Sequence, residues 1–311
     1  MKRRRLLWSV VAAAVLAPAL WWFGLGRPAR YGTLLGVRAS GDSVGVDARY
    51  EDVVLTTSSG RTLACRVRAP VAPSGERLPA LLVAGGLHTG RRAVDYLGAS
   101  FAGLAVACDY PWAEGLDRPW PLILLGFPRI RAQLVASPWA LRVAASYVLS
   151  RPEADTARFA AVGASLGVPP VAAWAGRDTR PRAVALVYGG GHLRRQLEIM
   201  LAEEPPWSRV GRVLARVLAW LLADLEPADA VGGIAPRPLL VIGAPADRRV
   251  PRETVQALFD AAGEPKRLVW LGGEHMRPDD AAVLRAVTDS CLAWIEEVLP
   301  GAWRKTRRVD G

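Results

Sequence analysis

One stretch, RFAAVGASLGVPPVAAW at 158–174, restricts the fold more than any other. Phe159–Val162 is a short apolar run without a polar break, the pattern of a strand buried on both faces. It passes directly into Gly163-Ala164-Ser165-Leu166-Gly167, and then into an Ala-rich segment of helical character. A strand that becomes a helix this quickly turns too sharply for side chains at both ends of the turn, so glycines stand there. The central serine is then held on a strained tip, its hydroxyl exposed and the N-terminus of a helix behind it. Pro169 and Pro170 are tolerated in a first helical turn, but the residue before a proline is pushed away from helical angles. Val168 is therefore constrained, and a slightly late helix start is expected.

The rest of the chain alternates buried strands with helical spacing. Tyr50–Leu55 and Arg61–Ala69 flank Ser58-Ser59-Gly60 and predict an antiparallel hairpin. Ala80–Ala84, Leu104–Ala107, Ala183–Val187, Pro238–Ile242 and Lys266–Leu271 read as further strands, most of them continuous apolar runs. Val94–Phe101, Trp139–Leu149 and Pro251–Ala262 read as helices. Pro111–Pro138, with five prolines and several large apolar residues, departs from any regular pattern. It is expected to be a loop that lines an acyl pocket or forms its lid, packs on the sheet, or rests on a membrane. Leu193–Glu226 shows helical spacing with arginines against Leu, Val and Trp, which predicts either an inserted cap of two helices facing the membrane or a plain solvent-facing pair.

A G-x-S-x-G turn set between a buried strand and a helix resembles the α/β-hydrolase superfamily. The resemblance is strongest to compact esterases and to dienelactone-hydrolase-like or prolyl-oligopeptidase-like members, over Tyr50 to Leu299. It implies an α/β fold: a mostly parallel central sheet, helices on both faces and a small cap at 192–226. Pro169 and Pro170 are departures, because that family usually has small helix formers there. Asp247, in the phrase Gly243-Ala244-Pro245-Ala246-Asp247-Arg248-Arg249-Val250-Pro251, matches the family's acid position. His275 follows the last strand behind Gly272-Gly273, and the order Ser165, Asp247, His275 is the one expected on this fold. The resemblance further implies an oxyanion hole from the backbone N–H groups of Leu166 and of Leu87, the latter in the loop Gly85-Gly86-Leu87-His88. A serine hydroxyl needs a neutral imidazole to take its proton, and the imidazole needs a carboxylate to fix its tautomer.

These residues imply a serine hydrolase cleaving an acyl or lipid-like carboxylic ester. A thioesterase or acyltransferase, a peptidase, or an inactive binding module on the same fold remain alternatives. Dehalogenases and epoxide hydrolases are disfavoured, since they carry Asp at the elbow. Asp109 is expected to be structural, and His192 precedes the acid, in the wrong order for the base. No metal cluster or nucleotide fingerprint is visible, so no cofactor is expected.

The net charge of +11 raises the question of an anionic partner, but the two ends carry seven of these charges, at Lys2–Arg5 and at 304–310. With the body only mildly basic, nucleic acid is not the expected partner. Behind Lys2–Arg5, Leu6–Gly26 is uncharged for 21 residues with Trp8 near one end and Trp21, Trp22 near the other. As a helix it would span about 30 Å, a bilayer's hydrocarbon core. Residues 1–26 are thus a membrane anchor with the domain exported, or a signal peptide cleaved at Ala17-Pro18-Ala19, with secretion following. Residues 27–49 read as a linker, 50–299 as the catalytic domain and 300–311 as a basic tail. Cys65, Cys108 and Cys291 each sit among apolar neighbours and read as buried thiols, two of which would be able to pair only in an oxidising compartment.

Overall fold

The computed structural model describes residues 31–71, 76–86, 89–110, 120–203, 211–301 and 303, with only the backbone described for 120–125 and 203. Nine strands form one sheet: β1 (Leu34–Val44), β2 (Ala48–Thr57), β3 (Thr62–Pro70), β4 (Leu78–Ala84), β5 (Leu104–Cys108), β6 (Ala154–Ala164), β7 (Ala183–Val187), β8 (Leu239–Gly243) and β9 (Lys266–Trp270). Their spatial order is β1-β2-β3-β5-β4-β6-β7-β8-β9. The first three are antiparallel to their neighbours, and the six from β5 to β9 run parallel. Residues in β4, β5, β7 and β8 are buried throughout, as their unbroken apolar runs require of strands covered on both faces.

The longer helices are α1 (Trp120–Ser150), α2 (Val168–Ala175), α3 (Leu193–Glu203), α4 (Gly211–Leu221), α5 (Arg252–Ala261) and α6 (Ala281–Val298). One apolar layer joins α1, α2 and α5 to one side of the sheet. A second, on the other side, holds α6, a 3₁₀ segment Gly90–Leu97 and the fully buried Trp303. After β4 the chain steps to β5 on one side and returns to β6 on the other. The carboxyl ends of β4 and β6 therefore flank a topological switch point, where open α/β sheets form their ligand crevice.

Five expectations need correction. Residues 27–49 are not a linker throughout, because β1 pairs with β2 from Leu34↔Thr57 to Val44↔Arg49. As an edge strand with nearly every side chain exposed, it lacks the alternation that marks a half-buried strand. The supposed irregular stretch 111–138 is helical from Trp120 onward, and α1 runs through Pro128 and Pro138. An interior proline costs about 3 kcal/mol. Against this, Ile130, Leu141, Val143 and Val148 are all buried, at about 1.5–3 kcal/mol each. Val168 adopts helical angles, φ −63° and ψ −51°, because a 3₁₀ turn over Ser165–Gly167 leads straight into α2. Finally, Cys65 and Cys108 face each other across β3 and β5 and are disulfide-bonded, leaving Cys291 as a free buried thiol. The segment 94–101 is 3₁₀ in its first part and ends at Leu97.

The region predicted as a cap or helix pair contains two packed helices, α3 and α4, while residues 204–210 between them lie outside the described residues. Among the described residues no helix is long and apolar enough to cross a membrane. Leu6–Gly26, the basic tail beyond Trp303, and residues 111–119 lie outside the described residues.

Candidate active site

Sterics build the turn after β6. Ser165 has φ 53°, in the left-handed region that L-residues avoid, at a cost of about 1–3 kcal/mol. A Cβ on Gly167 would lie 2.0 Å from the carbonyl oxygen of Ala84, and one on Gly163 would lie 2.8 Å from the carbonyl oxygen of Gly167. Without side chains at these positions, α2 starts against the end of β4 and Ser165 is lifted off the sheet. Gly86 passes beside it: a Cβ there would be 3.8 Å from the Ser165 Cβ.

Asp247 lies in the loop after β8 and its residue is only 4% exposed. Its Oδ1 accepts the backbone N–H groups of Arg249 (2.8 Å) and Val250 (3.0 Å). Its Oδ2 lies 2.7 Å from His275 Nδ1. A carboxylate oxygen only accepts, so Nδ1 carries the proton and Nε2 presents its lone pair. Nε2 is 2.9 Å from the Ser165 Oγ. The three side chains predicted from the sequence are thus joined in one relay, from three loops at the carboxyl edge of the parallel strands.

Leu166 occupies the 3₁₀ turn directly behind the serine, and the first N–H groups of a helix have no partner within it. Leu87 and His88 lie outside the described residues. Asp109 accepts the Arg91 backbone N–H at 2.9 Å and takes no part in the relay. His192 is exposed at the start of α3, its backbone N–H bonded to Glu226.

Tyr188 escaped the sequence reading. It directly follows β7, is fully buried, and also has a left-handed backbone, φ 53°. Its ring stands edge-on to the His275 imidazole at 6.0 Å between centroids. Its hydroxyl is buried without a hydrogen-bond partner among the described residues. Burial, and behind it the charges of Asp247 and Asp280, push the phenol above its ordinary pKa, so it stays neutral beside the relay. The available signal was Tyr188-Gly189-Gly190-Gly191: a Cβ on Gly189 would sit 2.5 Å from Val168, and one on Gly190 2.5 Å from Thr254. Three consecutive glycines after a strand marked a close approach that fixes the residue before them.

No family model matches the sequence, and no curated protein matches it. Solved structures do. An acetyl xylan esterase from Paenibacillus sp. R4 is 20% identical with a TM-score of 0.65, covering 90% of this chain and 99% of that one. Acetyl xylan esterase 1 from Thermoanaerobacterium sp. JW/SL YS485 is 17% identical with a TM-score of 0.60, covering 89% and 92%. An α/β hydrolase from Penicillium sp. sh18 is 20% identical with a TM-score of 0.56, covering 81% and 99%. Together with the strand order and the left-handed serine turn, these likenesses establish that the chain has the α/β-hydrolase fold.

Proposed function

We propose that the chain is a serine hydrolase that cleaves carboxylic esters through an acyl-enzyme. The observation that carries this reading is the continuous contact from Asp247 Oδ2 to His275 Nδ1 (2.7 Å) and from Nε2 to Ser165 Oγ (2.9 Å). These distances are within reach for direct proton transfer. Ser165 Oγ attacks the ester carbonyl carbon while His275 Nε2 takes the hydroxyl proton. The resulting imidazolium is stabilised by Asp247. The carbonyl oxygen becomes an oxyanion, held by the N–H of Leu166 and, in this proposal, that of Leu87. As the tetrahedral species collapses, His275 returns the proton to the departing alcohol and the acyl group stays on Ser165. Water, deprotonated by the same imidazole, releases the acid and restores the serine.

Esterases among the structures of similar fold support an ester over a peptide or thioester. The uncharged run at Leu6–Gly26, behind four cationic residues, supports a membrane-anchored domain on the exported side. The Cys65–Cys108 bond supports that side as well, since disulfides persist in oxidising compartments.

A fluorophosphonate probe tests the chemistry. Intact protein is expected to label, and Ser165→Ala to lose both labelling and hydrolysis of p-nitrophenyl esters. In a well-studied triad, removing the serine costs about a millionfold in kcat. Equal labelling of the two proteins would overturn the reading. A panel of esters, thioesters and peptides of graded acyl length then fixes the substrate class.

A further inference from the structure

The helical pair α3–α4 carries charge and apolar surface that the fold does not use. α4 reads GRVLARVLAWL, without an acidic residue. Gly211 and Ala215 are its buried positions, and a Cβ on Gly211 would lie 3.3 Å from the Leu201 Cβ of α3. At about 100° per residue, the opposite face is set by Val213, Val217 and Trp220, spaced i, i+4, i+7. These are 67%, 47% and 74% exposed. Arg212 and Arg216 form a second stripe alongside. Neither has an ion-pair partner among the described residues, whereas Arg194 and Arg195 on α3 are paired with Glu198 and Glu253. The end of α4 is pinned to the domain, because Arg131 of α1 donates to the Leu221 carbonyl at 2.7 Å.

We propose that this face of α4 is a foot that rests on an anionic lipid surface, with Val213, Val217 and Trp220 in the interfacial layer and Arg212 and Arg216 on lipid phosphates. Stripes of apolar and basic residues side by side on one helix suit the boundary between acyl chains and headgroups. Tryptophan favours that depth, and arginines near an anionic surface are drawn to its phosphates. Other occupants fit less well. The uncharged segment Leu6–Gly26 offers the arginines nothing to pair with. A second copy docked through the same face would crowd four arginines into one seam.

The location gives the foot a purpose. α3 starts at Leu193, after Tyr188 and the glycines that follow it, and Gln196 donates to the carbonyls of Gly190 and Gly191. The helical pair thus leaves the carboxyl edge of the sheet, the edge that carries Ser165, and a domain standing on it opens its site toward esters dissolved in the bilayer. The inference rests on the membrane-anchored reading above to bring the domain to a bilayer.

The test uses the full-length chain carrying Val217→Cys, labelled with an environment-sensitive NBD maleimide. Labelling is selective: Cys65 and Cys108 are bonded to each other, and burial pushes the Cys291 thiol up to about 12. With vesicles of mixed phosphatidylcholine and phosphatidylglycerol, the label is expected to shift to the blue and lose most of its emission to brominated lipid. The same label at the exposed Ala286→Cys of α6 is expected to stay in water. Adding Arg212→Glu and Arg216→Glu, or using pure phosphatidylcholine, is expected to return the position-217 label to water. Flotation of the chain with an unquenched label overturns the foot alone. Blue shift without lipid quenching also overturns it, as protein then covers the face. Equal quenching in pure phosphatidylcholine removes the arginines' part and overturns it too. A chain that does not float at all overturns the anchor reading and the foot together.

Discussion

The two loops that bring Ser165 and His275 within 2.9 Å are held in opposite ways. The serine loop is locked by backbone: Gly163 and Gly167 have no room for a methyl group, and α2 stands behind it with every residue but Pro169 buried. The histidine loop is open. Gly272, Gly273 and Glu274 are exposed, and nothing lies within 4 Å of a Cβ placed on Gly272. His275 is steadied through its side chain, by Asp247 and the edge of Tyr188. The proposed nucleophile is therefore positioned by the fold, and the proposed base by two side-chain contacts, to Asp247 and Tyr188. In the proposed mechanism, such division leaves room for His275 to pass the proton from serine to leaving group without disturbing the elbow.

The largest expected effect tests the locked side. Gly167→Ala drives a methyl group into the carbonyl of Ala84, backbone on backbone, so either β4 or the start of α2 has to shift. We expect a loss of about 3 kcal/mol or more, as for severe overpacking, read as a lower urea midpoint, together with loss of fluorophosphonate labelling. Normal stability with normal labelling would show that the elbow is not locked.

That lock was legible in the sequence because sterics alone demand it. Glycines bounding a serine between an apolar strand and a helix leave few alternatives, and the resemblance to the α/β-hydrolase superfamily then pointed to Asp247 and His275. The parallel strands were legible for a related reason, since burial on both faces leaves no polar residue in Ala183–Val187 or Leu239–Ile242. β1 was not, because its pairing is made by backbone and its side chains face solvent. Nor was the first half of α1, where packing at Ala132, Ala136, Ala140, Ala144 and Val148, four residues apart, overrides two prolines. Tyr188 was hidden because its role depends on a contact 87 positions away in the chain, with His275.

A smaller effect is expected on the open side. Gly273 has φ +100°, a conformation that an alanine resists, yet the nearest atom to an added Cβ is a Val283 methyl at 3.5 Å. Gly273→Ala therefore strains the loop without a clash. About 1–2 kcal/mol of strain is expected, falling on the placement of His275. kcat should drop about tenfold while the urea midpoint of the domain barely moves. Equal losses of stability and kcat would mean that the loop is as integral to the fold as the elbow.

Acid should weaken the support of the locked side. Asp178 lies just beyond α2: burial alone would raise its pKa, but hydrogen bonds from Arg180 and from Trp174 of α2 outweigh this and hold it below the ordinary range. A carboxylate with a depressed folded pKa contributes stability above its unfolded value, near 3.9, and that contribution is lost as pH falls through the folded value. Asp178→Asn should melt about 2–4 °C below the parent at pH 7, and the two curves should approach each other as pH falls below about 4. A constant gap across that range would detach the acid limb from the support of the elbow.

The smallest effect belongs to the neighbour of Gly273. Gly272 lacks a left-handed φ and has open space around it, so Gly272→Ala meets neither strain nor contact. Stability is expected within about 0.5 kcal/mol of the parent, with any gain arising from a stiffer unfolded chain, and kcat is expected to be unchanged. The pair of adjacent alanines is the sharper measurement, since composition, exposure and distance from His275 are nearly shared and only backbone geometry differs. A tenfold loss at 273 with none at 272 assigns the base's position to one backbone angle. A loss at 272 as well would mean that the loop closes onto something during turnover, and that the open side is open only between reactions.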